Sequence, residues 1–280
     1  MKKILVPCDF SEQAINAFRF ALDLADHSRG EIHLVNIVEL PVMHDTFLMP
    51  ALQFEKAFFQ DLAAKTQERF QNLFVKYKTE ARFAKVKSEV LFGSVSRMLT
   101  DYTKDKKIDL LVMGSHGASG VREALIGSNA ERVIRTSPVP VLVIKSYVKP
   151  NKIKNIVFPN TLEIDNQEEI VMKVKDIQNL FKAKLHIVYI NTPGNFTRDT
   201  ITMDRLKAFV KRFMIKDYTL NVFNDTYEEA GIIEFTRMVK ADMIALGTHA
   251  RRGLAHTLSG SVAEDVTNHV ECPVWTAKFK

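Results

Sequence analysis

The residues with the most chemical promise gather in one stretch, GSHGASGVREALIGSNAERV, from Gly114 to Val133. Gly114, Gly117 and Gly120 admit backbone angles closed to other residues and allow close approach to the main chain. Gly127 and Ser128 stand directly before NAERV, a short helical stretch whose first amides lack intrahelical partners. Amides at a helix start, with the Ser128 hydroxyl beside them, form a cradle suited to phosphate. The run is not a Walker loop, because no Gly-Lys-Ser/Thr closes it. Nor is it the dinucleotide fingerprint, whose glycine spacing differs and which follows a first strand. The competing reading is a loop whose glycines only turn the chain.

These residues need elements to position them, and the sequence alternates two kinds. KILVPC is short, apolar and branched, as a buried strand is. The next segment carries Ala14, Phe18, Ala21, Leu22 and Ala25 at helical spacing, with Ser11 as N-cap and Gly30 closing the helix. EIHLVNIV, KVKSEVLFG, DLLVMG and VPVLVIK read as further strands. Between them lie a long helix with Phe58, Leu62, Phe70, Leu73, Phe74 and Tyr77 on a core face, then SVSRMLTDYTKD and SNAERVIRT. Strands alternating with helices predict a parallel sheet covered on both faces. In such a sheet ligands bind beyond the carboxyl ends of the strands. Asp9, Ile37, Gly93 and Gly114 all fall on that rim, with Asp9 placed to accept from amino or hydroxyl groups.

The chain then repeats itself. Residues 109–145 align without a gap to residues 242–278, with 13 of 37 positions identical. Ordinary composition would give about two or three. The openings agree as well, KILVPCDF at Lys3 with NIVFPNTL at Asn155. The reading is a tandem duplication: a first domain at 1–147, a basic linker at 148–154 with Pro150 as a helix breaker, and a second domain at 155–280. Strands NIVFP, KLHIVYI, YTLNVF, DMIALG and PVWTAK complete the second copy.

Composition narrows the function classes. The 280 residues are 46% hydrophobic and 26% charged, with a net charge of +6 spread thinly along the chain. Short lysine clusters read as solvated faces rather than a nucleic-acid patch. Cys8 and Cys272 are the only cysteines and lie at opposite ends, without metal or redox spacing. No run is long enough for a membrane span and the start is too short for a signal core, so a soluble, cytoplasmic protein is expected. His116 and His249 read as loop hydrogen-bonding residues, Glu131 and Glu264 as helix-start charges or inter-domain partners. His44 with Asp45 is too little for a metal site. Trp275 reads as core or interface.

Gly114-x2-Gly117-x9-Gly127-Ser128, with ILVPCDFSE before it and SPVPVLVIK after it, closely resembles the universal stress protein family. The resemblance covers essentially the whole chain as two tandem Rossmann-like domains, each with an open five-stranded parallel sheet. It implies ATP, with or without Mg2+, in the first copy. Pro7 and Asp9 would lie at the adenosine and Ile37 would give backbone contacts to the base. Met113, Gly114, Gly117, Gly127, Ser128 and Asn129 would surround the phosphates. It also implies that VPVLVIK and PVWTAK pair into an intramolecular pseudo-dimer, and it leaves a homodimer open. Segment 39–54, rich in Met and Phe, then reads as a flap over the nucleotide or a packing surface.

The second copy departs from this pattern, with Thr161 where Asp9 stands and Ala250 where Gly117 stands. Gly247, Gly260 and Ser261 remain as a weaker second site. The expectation is a stress-response or signalling protein that binds an adenine nucleotide and an unidentified protein partner, without nucleic acid or membrane. A nucleotide-free adaptor is the alternative, and no catalytic residues are assigned, although slow ATP hydrolysis is compatible with the loop.

Overall fold

The computed structural model describes residues 2–39, 51–79, 84–115, 127–162, 167–249 and 259–279. The first half runs β1 (Lys3–Pro7), α1 (Glu12–Ser28), β2 (Glu31–Val38), α2 (Ala51–Tyr77), β3 (Lys85–Phe92), α3 (Val95–Asp105), β4 (Leu110–Gly114), α4 (Ser128–Thr136) and β5 (Val141–Ile144). After a 3-10 turn at Pro150–Lys152, the order recurs as β6 (Asn155–Pro159), α5 (Glu168–Phe181), β7 (Lys184–Asn191), α6 (Asp199–Arg212), β8 (Tyr218–Asn224), α7 (Glu228–Met238), β9 (Met243–His249), α8 (Ser259–His269) and β10 (Val274–Phe279).

The strands form one ten-stranded sheet in the order β3-β2-β1-β4-β5-β10-β9-β6-β7-β8. Every pairing is parallel except β5 with β10, where Leu142 faces Trp275 in antiparallel register. The two five-stranded sheets are therefore fused through their last strands, as the resemblance implies. Trp275, Leu142 and Ile144 are fully buried there, so the tryptophan belongs to both core and seam.

Local sequence explains the elements. Ile4, Leu5 and Val6 are inaccessible to solvent on both faces of β1, each contributing about 1.5–3 kcal/mol by burial. Ser11 Oγ accepts from Ala14 N at 3.2 Å and caps α1, and Glu12 complements the dipole in its first turn. The far end differs from expectation: Arg29, at φ 50°, takes the left-handed cap, and Gly30 only receives the chain after it. In α2 Phe70 and Leu73 are buried, whereas Phe58 is 61% exposed; it is the next residue, Phe59, that meets the sheet, its ring 5.2 Å from that of Phe92 at the end of β3.

One core lies under α1, α2, α5 and α6 and is continuous across the halves; Phe20 of α1 meets Phe181 of α5 with ring centroids 6.4 Å apart. On the opposite face α3 with α4, and α7 with α8, cover separate cores. The connecting segment packs rather than dangles. Tyr147 donates to Asp23 Oδ2 at 2.6 Å and lies under the Arg19 guanidinium, and Ile153 is fully buried. Pro150 opens the 3-10 turn, where its fixed φ fits, instead of breaking a helix.

Candidate functional site

Strand order reverses between β1 and β4 in the first half and between β6 and β9 in the second. A crevice opens at such a reversal, because the connections leave in opposite directions. At the first crevice, Pro7 ends β1 in register with Val35, and Cys8 N donates to Val35 O at 2.8 Å. The chain then turns through Phe10 at φ 65°. Asp9 Oδ1 accepts from Ser11 N at 2.9 Å, which fixes the exposed carboxylate over the start of α1. Asn36 Nδ2 donates to Cys8 O at 2.8 Å and ties the turn to β2. Burial pushes the Cys8 thiol up to about 12, which disfavours the thiolate form.

Ile37 is half-buried near the end of β2, and Met113 is buried in β4. Gly114 earns its place differently from the sequence reading. It has ordinary strand geometry, and a Cβ there would lie 2.7 Å from the Gln13 carbonyl carbon and 2.9 Å from Ala14 N. The missing side chain lets the first turn of α1 sit directly on the end of β4. Gly127 N donates to Ser115 O at 2.8 Å, closing the loop at its base. Gly127 is the N-cap of α4 at φ −60°, and Ser128 and Asn129 are the exposed first residues of that helix. Their amides face the side from which the loop arrives. Gly117, Gly120 and His116 lie outside the described residues, as do His44, Asp45 and most of segment 39–54.

The second crevice shows what these positions do together. Leu162 repeats the positive φ of Phe10, at 59°, and Asn160 N donates to Val188 O at 2.9 Å as Cys8 does to Val35. That register sets Thr161 opposite Asp9. A cavity of about 260 Å3 is lined by Pro159, Thr161, Ile190, Leu246, Gly247 and Val262, among others. These are the counterparts of Pro7, Asp9, Ile37, Met113, Gly114 and Asn129. The fold therefore gathers this set of positions around a single hollow.

Its chemistry has changed. Asn160, at the Cys8 position, accepts from Leu162 N at 2.8 Å and donates to Gln167 Oε1 at 2.7 Å, so an amide pair holds the turn. A Cβ on Gly247 would meet the Phe279 ring at 2.8 Å and Ile170 at 3.0 Å. Phe279 was not singled out by the sequence. The signal was there in the repeat, which aligns it with Ser146, and in the two extra strand residues of β10 relative to β5. Gly260 and Ser261 also differ from Gly127 and Ser128: α8 begins at Ser259, so both lie inside its first turn. Ala250 lies outside the described residues.

Glu264 accepts from Arg135 Nε at 2.9 Å and Nη2 at 2.7 Å, while Glu131 meets the same guanidinium at 3.0 Å. Both recurrent glutamates thus serve the α4–α8 contact between halves. Among the described residues, no group of three or more His, Cys, Asp or Glu could hold a metal, and no helix is long and apolar enough to cross a membrane.

A doubly wound sheet with a crevice at each reversal of strand order defines a tandem α/β protein. The model of the universal stress protein family matches residues 1–145 and 225–278, and the chain belongs to that family. It is 32% identical over 151 residues to universal stress protein MJ0531 of Methanocaldococcus jannaschii, covering 54% of this chain and 84% of that relative. It is 31% identical over 146 residues to universal stress protein G of Escherichia coli O157:H7, covering 51% and 99%. A universal stress protein from Archaeoglobus fulgidus shares the fold across the tandem, with a TM-score of 0.74 at 18% identity, covering 99% of this chain and 98% of that one.

Proposed function

We propose that the first half binds one adenine nucleotide, ATP, and that the protein acts in the cytoplasm as a stress-response or signalling binding protein, with a protein partner that reads the bound state. The supporting observation is the pairing of positions between the two crevices. The positions that converge on one cavity in the second half carry Asp9 and Asn129 in the first, with Ser128 beside them at the start of α4. A carboxylate for ribose or base donors and helix-start amides for phosphate are complementary to the two ends of a nucleotide. Mg2+ enters with the triphosphate as its counter-ion. Function is binding without required turnover, since a ligand biases a protein through differential affinity alone.

Native mass spectrometry with Mg-ATP should show one nucleotide per chain. Removing a hydrogen bond to a charged group is worth about 1.5–3 kcal/mol, so Asp9→Ala is expected to weaken ATP about ten- to a hundredfold while Thr161→Ala leaves it unchanged. No nucleotide at millimolar ATP, or damage only from the Thr161 change, would overturn the reading.

A further inference from the structure

We propose that the free edge of β8 is a docking surface for a second copy of this chain, joined antiparallel about a twofold axis at Asn221. β8 ends the ten-stranded sheet and pairs only with β7. Leu185 N donates to Asp217 O at 2.9 Å, and Asp225 N donates to Asn191 O at 3.1 Å. In a parallel ladder the residues of a strand turn their backbone groups alternately to one neighbour and the other. The odd-numbered residues of β8 therefore serve β7, and the N–H and C=O groups of Tyr218, Leu220, Val222 and Asn224 point away from the sheet. Among the described residues no strand lies beyond them. β8 and its covering helices, α6 and α7, belong to one continuously described stretch, residues 167–249.

The two outer margins of the sheet are finished differently. β3, at the other margin, carries exposed Lys85, Lys87 and Glu89, and such charges discourage pairing with another chain. β8 reads YTLNVFN and carries none. Leu220 and Val222 pack on the core of one sheet face and Phe223 on that of the other. The strand is thus held in shape before it meets a partner, which lowers the ordering cost of pairing.

The ends of this edge complement each other. Lys211 and Lys216 stand before the strand, Asp225 and Glu229 after it. Both lysines line a hollow of about 350 Å3 with Met214 and Tyr218, while Tyr227 is exposed just past the far end. A twofold axis at Asn221 sets Tyr218 opposite Asn224 and Leu220 opposite Val222, so every outward backbone group of these residues finds a partner. The same axis carries the basic end and hollow of each copy to the acidic end and Tyr227 of the other, as an isologous contact requires. Asp217 then falls opposite Asp225, and Lys216 beside it offsets that pair. An unrelated chain would have to bring both ends in this order; a second copy does so by symmetry. The protein already makes such a contact within itself, at the antiparallel pairing of β5 with β10.

The test is sedimentation equilibrium of the full chain without nucleotide, so its outcome is independent of the ATP reading. The mass is expected to rise from 31.9 kDa towards twice that value as the protein is raised to about 0.1 mM, with amide exchange slowed at Leu220 and Val222 and unchanged in β3. Val222→Pro removes an outward N–H and no bond to β7, so it should abolish the dimer. Lys211→Glu with Lys216→Glu, both on exposed side chains, should weaken it at least about tenfold by setting acid against acid. Adding Asp225→Lys and Glu229→Lys to that variant should restore it. A chain that stays monomeric at that concentration, a dimer that survives Val222→Pro in a folded variant or is unchanged by the charge variant, or growth past two copies each overturns the proposal. So does a monomeric chain whose Leu220 and Val222 amides are protected by an unrelated extended peptide, which would assign the edge to another partner.

Discussion

In the first half, Asp9 follows β1 and β5 stops at Ile144; in the second, Thr161 follows β6 and β10 runs on to Phe279. The strand order, the left-handed residue of the turn and the register between the first two strands are the same in both. What differs is the set of side chains presented at the strand ends. The backbone plan of this duplication has been kept while its crevices have been given different linings. The glycines at the two strand ends teach the same lesson. Gly114 makes room for the backbone of a helix, Gly247 for the ring of a phenylalanine. Identical residues at identical positions have acquired different reasons to be there.

The comparison can be broken in several ways. The largest effect is expected at the seam, where Trp275→Ala should cost about 3–5 kcal/mol in denaturant unfolding. If Leu142→Ala, its cross-strand neighbour, cost more, the first half would be the side that anchors the seam. Next comes the pair of glycines. Gly114→Ala presses a methyl on α1 backbone atoms and should destabilise by about 1–3 kcal/mol. Gly247→Ala meets a side chain instead, so a double-mutant cycle with Phe279→Ala should show coupling that the same cycle at Gly114 lacks. Equal behaviour of the two glycines would mean that the linings differ less than the geometry indicates.

A smaller effect is expected between α4 and α8. The Arg135 side chain is 58% exposed and Glu264 14%, so Arg135→Ala should cost no more than about 1 kcal/mol and less at high salt. The smallest effect concerns the equivalent histidines His33 and His186. Burial lowers the affinity of both rings for a proton. The unfolded chain then takes up protons below ~6.5 that the folded chain does not, so stability is full above that pH and falls as pH drops towards the folded values. At His33, Glu31 opposes the shift while Lys87 and Lys3 add to it; at His186, Lys184 adds to it and Asp217 opposes it. His33→Gln and His186→Gln should therefore each remove part of the acid sensitivity, measured as urea midpoints at about pH 7.5 and about pH 5.5.

Much of this was legible in the residues. Apolar runs placed the strands and Ser11 the start of α1, and α4 begins at Ser128 as SNAERVIRT suggests, because these signals are local. The internal repeat gave the pairing of site positions, since a shared register needs only an alignment. What sequence could not supply is who packs on whom. Gly114 looked like a turn glycine because its neighbour, the Gln13 backbone, is a hundred residues away in the chain. Phe58 reads as core by composition, but of the adjacent Phe58 and Phe59 it is Phe59 that reaches Phe92 of β3 while Phe58 stays exposed, a choice of phase that only the packed helix settles. Phe279 lies one residue beyond the PVWTAK run, and its contact with Gly247 exists only once β10 lies beside β9.

The antiparallel seam also has a consequence for synthesis. Chains emerge N-terminus first and fold as they go, at about 5–20 residues per second. The first half has all its strands once Ile144 is out, but the partner of β5 begins only at Val274. For about 130 residues of translation, on the order of ten seconds, the apolar margin formed by Val141, Leu142 and Val143 has no strand of its own chain to pair with. Such a margin is a template for other chains. Ribosome-bound chains arrested before Val274 are therefore expected to associate with one another or to recruit a chaperone, and chains extended past Phe279 to release it.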